Sequence, residues 1–85
     1  MKPILFTPTA EAQFKEWSVT NKKIYNKIID LLQAIQNNPF KGIGKPEPLK
    51  YQMKGCWSRR ISDVDRLVYQ VTQESIIVIS CRFHY

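Results

Sequence analysis

Trp57-Ser58-Arg59-Arg60-Ile61-Ser62, Asp63-Val64-Asp65, Arg66-Leu67-Val68-Tyr69-Gln70-Val71-Thr72 and, after Gln73-Glu74-Ser75, Ile76-Ile77-Val78-Ile79-Ser80-Cys81-Arg82-Phe83-His84-Tyr85 form the stretch that decides the fold. Three runs rich in β-branched and aromatic residues, parted by short polar breaks, predict an antiparallel three-stranded meander. Side chains alternate along a strand, so parity assigns the faces. Leu67, Tyr69, Val71, Ile77, Ile79, Cys81 and Phe83, extended by Trp57 and Ile61, form a wholly apolar or aromatic set and the expected core face. Aligning that set across both hairpins needs loops with an odd number of residues, which Asp63 to Asp65 and Gln73 to Ser75 supply. The other face then carries Ser58, Arg60, Ser62, Arg66, Val68, Gln70, Ile76, Val78, Ser80, Arg82 and His84. This register sets Arg66 across from Arg82, with His84 one diagonal step away and Arg60 on the neighbouring strand. Diagonal neighbours lie roughly 7–8 Å apart at the backbone, within reach of long side chains. Three arginines and the single histidine thus gather on one surface suited to an anion.

Working outward, Lys2 to Phe6 is expected as an added strand at the sheet edge. Thr7-Pro8 reads as a helix start, with Thr7 as N-cap and Pro8 at the first helical position. A helix from about Pro8 to Ser18 buries Phe14 and Trp17 on one side. A second helix follows from Ile24, Ile28, Leu31, Leu32 and Ile35 at helical spacing, with Lys22, Lys23 and Lys27 in its first turns, and Asn37-Asn38-Pro39 ends it. Its apolar stripe is what the apolar face of a sheet needs to pack against. Phe40 to Pro48 is a loop. Its two glycines make no phosphate cradle, since no helix follows them. Glu47, between Pro46 and Pro48, has a restricted backbone. Leu49 to Met53 alternates like a strand, and Lys54-Gly55-Cys56 turns into Trp57. The fold class is therefore α+β: two N-terminal helices on one face of a small, mainly antiparallel sheet.

The 85 residues make one domain, 1–85. A chain this short buries only about 60–65% of its unfolded surface, so its stability is modest. The 44% hydrophobic and 12% aromatic content argues for a folded globule rather than a disordered tail. A net charge of +6 points to a polyanion or an acidic protein as partner. Cys56 and Cys81 lack metal-ligand spacing, and one histidine does not complete an ordinary zinc set, so no metal and no cofactor are expected. Ile4-Leu5-Phe6 is too short an apolar run for a signal peptide, and no stretch approaches a membrane span, which suggests a reducing cytoplasm.

Glu47, Lys50, Arg60, Arg66, Arg82 and His84 together suit RNA strand cleavage. Attack by a ribose 2′-hydroxyl needs a base for that proton, an acid for the leaving 5′-oxygen, and cations for the charge gathering on phosphorus. A carboxylate ringed by lysines suits the first role. Histidine, with an unperturbed pKa of about 6.5, suits the second. Arginine presents a planar fork of donors to phosphate. Each assignment has a plainer reading. Glu47 would pair with Lys45 or Lys50, His84 would be a surface residue, and the arginines would pair with Asp63 and Asp65 or bind anions without catalysis.

Asn38-Pro39-Phe40-Lys41-Gly42, Gly44-Lys45-Pro46-Glu47-Pro48-Leu49-Lys50, Gly55-Cys56-Trp57-Ser58-Arg59-Arg60-Ile61, Arg66-Leu67-Val68-Tyr69 and Cys81-Arg82-Phe83-His84-Tyr85 also carry a resemblance. They resemble motifs of the YoeB/Txe toxins, within the RelE-like superfamily of bacterial toxin–antitoxin systems. The resemblance covers roughly residues 38 to 85; the first 37 agree mainly in helical pattern. It implies a RelE-like microbial RNase architecture and an mRNA interferase that enters the ribosomal A site and cleaves the codon there without metal. On matching positions it implies Glu47 as general base, His84 as general acid and Arg66 as transition-state clamp, with Lys50, Arg60 and Tyr85 contacting RNA or phosphate; Arg82 is a further phosphate-binding candidate from its place on the anion surface alone. It further implies a YefM/Phd-type antitoxin, a tendency to dimerise, and the bacterial ribosome and mRNA as targets. Many relatives have histidine just before the clamp arginine, where this chain has Asp65; a pairing of Asp65 with Arg66 would lower the positive potential there. Two other classes remain as alternatives: a toxin of the same fold that binds a protein target, as ParE-like gyrase poisons do, and a non-catalytic RNA-binding module. The Glu, Arg and His set argues against the first. The scarcity of aromatics on the polar face argues against the second.

Overall fold

The structure is a computed structural model and describes residues 1–50, 53 and 55–83. Strand β1 (Ile4–Phe6) leads into helices α1 (Pro8–Thr20) and α2 (Lys22–Asn37). Strands β2 (Glu47–Pro48), β3 (Cys56–Arg60), β4 (Arg66–Val71) and β5 (Ile76–Ser80) follow, and the sheet runs β1-β5-β4-β3-β2. All neighbours are antiparallel except β1, which lies parallel to β5 at the edge. The expected edge strand, two helices and three-stranded meander are all present.

Local chemistry explains the helix ends. The Ala10 N–H donates to Thr7 Oγ1 at 3.1 Å, with Pro8 opening α1 where its missing N–H costs nothing. Asn21 serves both helices. Its N–H donates to the Trp17 carbonyl at 3.0 Å, closing α1, while its Oδ1 accepts from Ile24 N–H at 3.1 Å, opening α2. One residue therefore folds the second helix back on the first. Phe14 bridges the layers, stacked on Tyr25 at 4.8 Å and tilted against Phe6 at 5.2 Å.

The core lies between helices and sheet. Ala10, Ile28, Leu31 and Ile35 pack against Ile61, Leu67, Tyr69, Ile76, Val78 and Cys81. The expected inward set holds for β4, but the first half of β5 is reversed. Ile76 and Val78 face the core where Ile77 and Ile79 were predicted. The physical reason is the turn. Thr72 to Ser75 makes a four-residue connection, closed by Thr72 N–H to the Ser75 carbonyl and Ser75 N–H to Thr72 Oγ1, both 2.9 Å. Val71 therefore pairs with Ile76 rather than with Ile77. A bulge then restores parity: Tyr69 pairs with Val78 and Val68 with Ser80, so Ile79 is the extra residue and Cys81 points inward again.

Two further expectations are corrected. Phe83 is exposed instead of core-facing, with φ +61° in the left-handed region. The strand predicted for Leu49 to Met53 is absent among its described residues: β2 ends at Pro48, Leu49 N–H makes one last bond to the Cys56 carbonyl at 2.9 Å, and Met53 N–H donates back to the Lys50 carbonyl at 3.2 Å. Leu49 and Met53 instead fold over the far face of the sheet. With Cys56, Val68 and Ile79 they form a second, smaller apolar cluster. The sheet is thus partly covered on both faces, and Ser58 and Val68, expected at the solvent face, are fully buried. Among the described residues, no helix is long and apolar enough to cross a membrane.

Candidate active site

Glu47 reaches the sheet through a loop that the core holds in shape. The sequence Asn38-Pro39-Phe40-Lys41-Gly42-Ile43-Gly44 has little apolar content to bury, so its backbone groups need partners. Arg59 supplies them. Its side chain is fully buried on the inward face of β3, between Trp57 and Ile61. Nη2 donates to the carbonyls of Asn38 at 2.7 Å and Lys41 at 3.1 Å, Nη1 to that of Ile43 at 3.1 Å, and Nε to Tyr69 Oη at 3.1 Å. Tyr69 Oη in turn donates to the Pro39 carbonyl at 2.7 Å. Burial pushes the Tyr69 phenol above its ordinary range, while the bond from Arg59 and its charge pull the other way.

The two loop glycines fit this arrangement. A Cβ on Gly42, at φ +131°, would stand 3.1 Å from Arg59 Nη1. One on Gly44, at φ +84°, would stand 2.8 Å from Leu31 Cδ2 and 3.0 Å from Arg59 Cβ. Neither cradles an anion; both let the main chain lie against the core. The Gly44 carbonyl accepts from Arg60 N–H at 2.6 Å, and Lys45 turns through φ +52° before Pro46. The chain then pairs Glu47 with Ser58 and Pro48 with Trp57.

That pairing sets Glu47 on the same face as Arg60 and Arg66, which lie directly opposite one another on β3 and β4. Like charges opposite in a ladder repel. Glu47 relieves this, because its Oε1 accepts from Arg66 Nη1 at 3.0 Å. The plainer pairing of Glu47 with Lys45 or Lys50 is not what the structure contains; Lys50 is exposed two residues beyond Pro48. Arg82 goes elsewhere. Nη1 donates to Glu16 Oε1 at 2.6 Å, and its guanidinium lies over the rings of Trp17 and Phe83 at 5.7 and 4.7 Å. The structure thus brings Glu47, Arg60 and Arg66 together and ties Arg82 to α1. His84 and Tyr85 lie outside the described residues.

Asp65 does not pair with Arg66. The carboxylate is buried, its Oδ1 accepts from Phe83 N–H at 2.6 Å, and its Oδ2 stands 3.5 Å from Ser62 Oγ. The guanidinium of Arg66 keeps its charge for Glu47 and for whatever approaches the open face. Sequence reasoning missed the buried role of Arg59. The signal was available: residue 59 falls on the inward parity between Trp57 and Ile61, where a charge demands partners.

Two helices on one side of a five-stranded, mostly antiparallel sheet make the fold of the RelE-like toxins. A model of the YoeB-like toxins of bacterial type II toxin–antitoxin systems matches residues 6–85, and the chain belongs to that family. Toxin YoeB of Escherichia coli (strain K12) is 49% identical over 69 residues, spanning 81% of this chain and 82% of that protein. The YoeB dimer from Staphylococcus aureus superposes with a TM-score of 0.92 at 42% identity, covering 99% of this chain and 98% of that one. The YoeB–YefM complex from the same organism superposes at 0.91 with 43% identity, covering 100% and 99%.

Proposed function

We propose that this toxin is a ribosome-dependent mRNA endoribonuclease that cuts A-site codons by attack of a ribose 2′-hydroxyl on the adjacent phosphate. The observation that carries this reading is the contact of Glu47 with Arg66 at 3.0 Å, with Arg60 opposite on the next strand. A base for the 2′-proton and donors for the phosphorane charge stand beside each other on an open face. Glu47 takes the 2′-hydroxyl proton, the 2′-oxygen bonds to phosphorus, and the 5′-oxygen leaves with a proton from His84. The products are a 2′,3′-cyclic phosphate and a 5′-hydroxyl. Arg66 meets the extra negative charge on the non-bridging oxygens, where a preorganised cation acts most strongly. Lys50, Arg60 and Tyr85 hold the RNA, and Arg82 joins them or braces the chain end through Glu16.

The resting Glu47–Arg66 pair supports this order of events. The side chains are 52% and 18% exposed, so the contact stabilises the free protein by no more than about 1 kcal/mol. A phosphate accepting a charge-assisted, two-pronged bond from Arg66 competes with it easily. Substrate binding therefore frees the carboxylate at the moment it is needed as a base. Placement of the codon by the ribosome supplies the orientation that an open site lacks. A YefM-type antitoxin, present with the Staphylococcus aureus relative, is the partner proposed for this chain, and self-association accords with the dimer of that relative.

Primer extension on a defined mRNA in a purified bacterial translation system tests the reading. Codon-phased cuts that require ribosomes, Glu47 and His84 are expected. Cuts that persist in Glu47→Gln and His84→Ala, or no cuts from the folded wild type, overturn it.

A further inference from the structure

Phe83 is an aromatic residue at φ +61°, a conformation that side chains bearing a Cβ rarely adopt. Such strain, on the order of 1–3 kcal/mol, persists only where the surroundings over-determine it. Here they do. Phe83 N–H donates to Asp65 Oδ1 at 2.6 Å, and the Phe83 carbonyl accepts from Arg66 N–H at 3.2 Å. Both polar groups of one main-chain residue are thus held by consecutive residues, Asp65 at the end of the β3–β4 connection and Arg66 at the start of β4.

Asp65 is itself fixed. Its N–H donates to Ser62 Oγ at 3.0 Å, and its carbonyl accepts from Ile61 N–H at 3.0 Å and Ser62 N–H at 3.2 Å. Asp65 as a residue is 8% exposed, and a buried carboxylate aimed at a single backbone N–H is costly unless that bond is made. Its position next to the clamp arginine invites an ion pair, yet Arg66 turns to Glu47 and Asp65 turns to the chain end. The tight β3–β4 connection that aligns Arg60 with Arg66 therefore also grips the residue bonded to His84.

We propose that Asp65 is a positioning residue for the terminal histidine: its carboxylate holds the main chain of Phe83, the residue to which His84 is covalently joined, in the left-handed turn. The proposal rests on the nuclease reading above, in which His84 is the acid. Asp65 touches neither substrate nor reacting atoms and works only through the chain end.

The test compares Asp65→Ala, which deletes the acceptor, with Asp65→Asn, whose side-chain oxygen still accepts from the Phe83 N–H. Cleavage rate at saturating ribosomes, the ribosome concentration at half-maximal rate, and NMR-detected exchange of individual amides are read for each. In wild type and Asp65→Asn the Phe83 amide is protected and the rates agree within about threefold. In Asp65→Ala that protection is lost and the rate falls on the order of 10–10²-fold, as for a misplaced catalytic group, while the half-maximal concentration holds. Tyr69 and Val78 amides stay protected throughout, separating the latch from general destabilisation. A wild-type rate in Asp65→Ala overturns the proposal, as does an unprotected Phe83 amide in folded wild type or a folded Asp65→Asn that loses the bond at full rate. Failure of the nuclease reading looks different: wild type does not cut, or His84→Ala cuts as well as wild type, whatever the Phe83 amide does.

Discussion

Arg59→Met replaces a buried guanidinium with a shorter apolar chain, and it should destabilise the domain by about 3–5 kcal/mol. Two effects oppose each other. Burying the charge costs several kcal/mol after relaxation, and methionine does not carry that cost. Against this, the carbonyls of Asn38, Lys41 and Ile43 and the oxygen of Tyr69 lose donors at 2.7–3.1 Å. Each orphaned acceptor costs about 1–3 kcal/mol. Tyr69 Oη is deep, so its loss is felt in full; the loop carbonyls are part-buried, and water recovers some of theirs. The orphaned acceptors win because they number four and the guanidinium was satisfied. For a domain whose whole stability is about 5–15 kcal/mol, this is a large fraction, equivalent to a fall in Tm on the order of 20 °C. Urea unfolding followed by the fluorescence of Trp17 and Trp57 measures it. Arg59→Lys should recover little, since one ammonium does not span three carbonyls and a phenol. A double-mutant cycle with Tyr69→Phe should show coupling above about 0.5 kcal/mol, since the two side chains share a network. A loss below about 1 kcal/mol in Arg59→Met, with an unchanged denaturant slope, refutes the reasoning.

Three more outcomes are expected. Gly44→Ala meets Leu31 at 2.8 Å and adopts φ +84° with a Cβ, so it should lower stability by about 1–3 kcal/mol, measured by the same urea titration. The Cys81 thiol is pushed up to about 12, chiefly by burial and secondarily by the charge of Asp65, so iodoacetamide should modify it at neutral pH only as fast as the domain opens. Because the folded value lies above the ordinary 9.0, this group's contribution to stability is fully present below pH 9 and lost as pH rises toward 12. Rapid labelling of folded protein at pH 7, or no decline in stability over that alkaline window, contradicts this. Arg66→Ala should slow codon cleavage on the order of 10²–10³-fold in the purified translation system while leaving the amide-exchange pattern of the sheet intact; an unchanged rate removes Arg66 from the transition state.

The Glu47–Arg66 contact and the Asp65–Phe83 contact divide two carboxylates between two tasks. One sits half-exposed on the open face against Arg66; the other is buried and grips the main chain. Had Asp65 been the partner of Arg66, the guanidinium would have been neutralised from its own strand end and Glu47 left to its lysine neighbours. The short connection from Ile61 to Asp65 prevents that, because its hydrogen bonds turn the carboxylate toward Phe83.

What this sequence determined by itself is whatever depends on local chemistry and period. Thr7-Pro8 marks the start of α1 through a cap made by the Thr7 side chain. Ile24, Ile28, Leu31 and Ile35 mark the buried stripe of α2 at helical spacing, and Leu67, Tyr69 and Val71 mark the inner face of β4 by alternation. That Arg60 and Arg66 share a face followed from parity once the β3–β4 loop was taken as odd, and its five residues keep that parity; Glu47, read as part of a loop, reaches that face only through the β2–β3 pairing. Tertiary structure decided the rest. A four-residue turn and a bulge at Ile79 shift β5 by one residue and back again, and each alone would have turned a strand inside out. Arg82 goes to Glu16, Arg59 to the loop carbonyls and Asp65 to Phe83, because a charged side chain settles where desolvation is best repaid by partners. Those partners come from segments distant in the chain, brought close only when the helices and sheet close over the core.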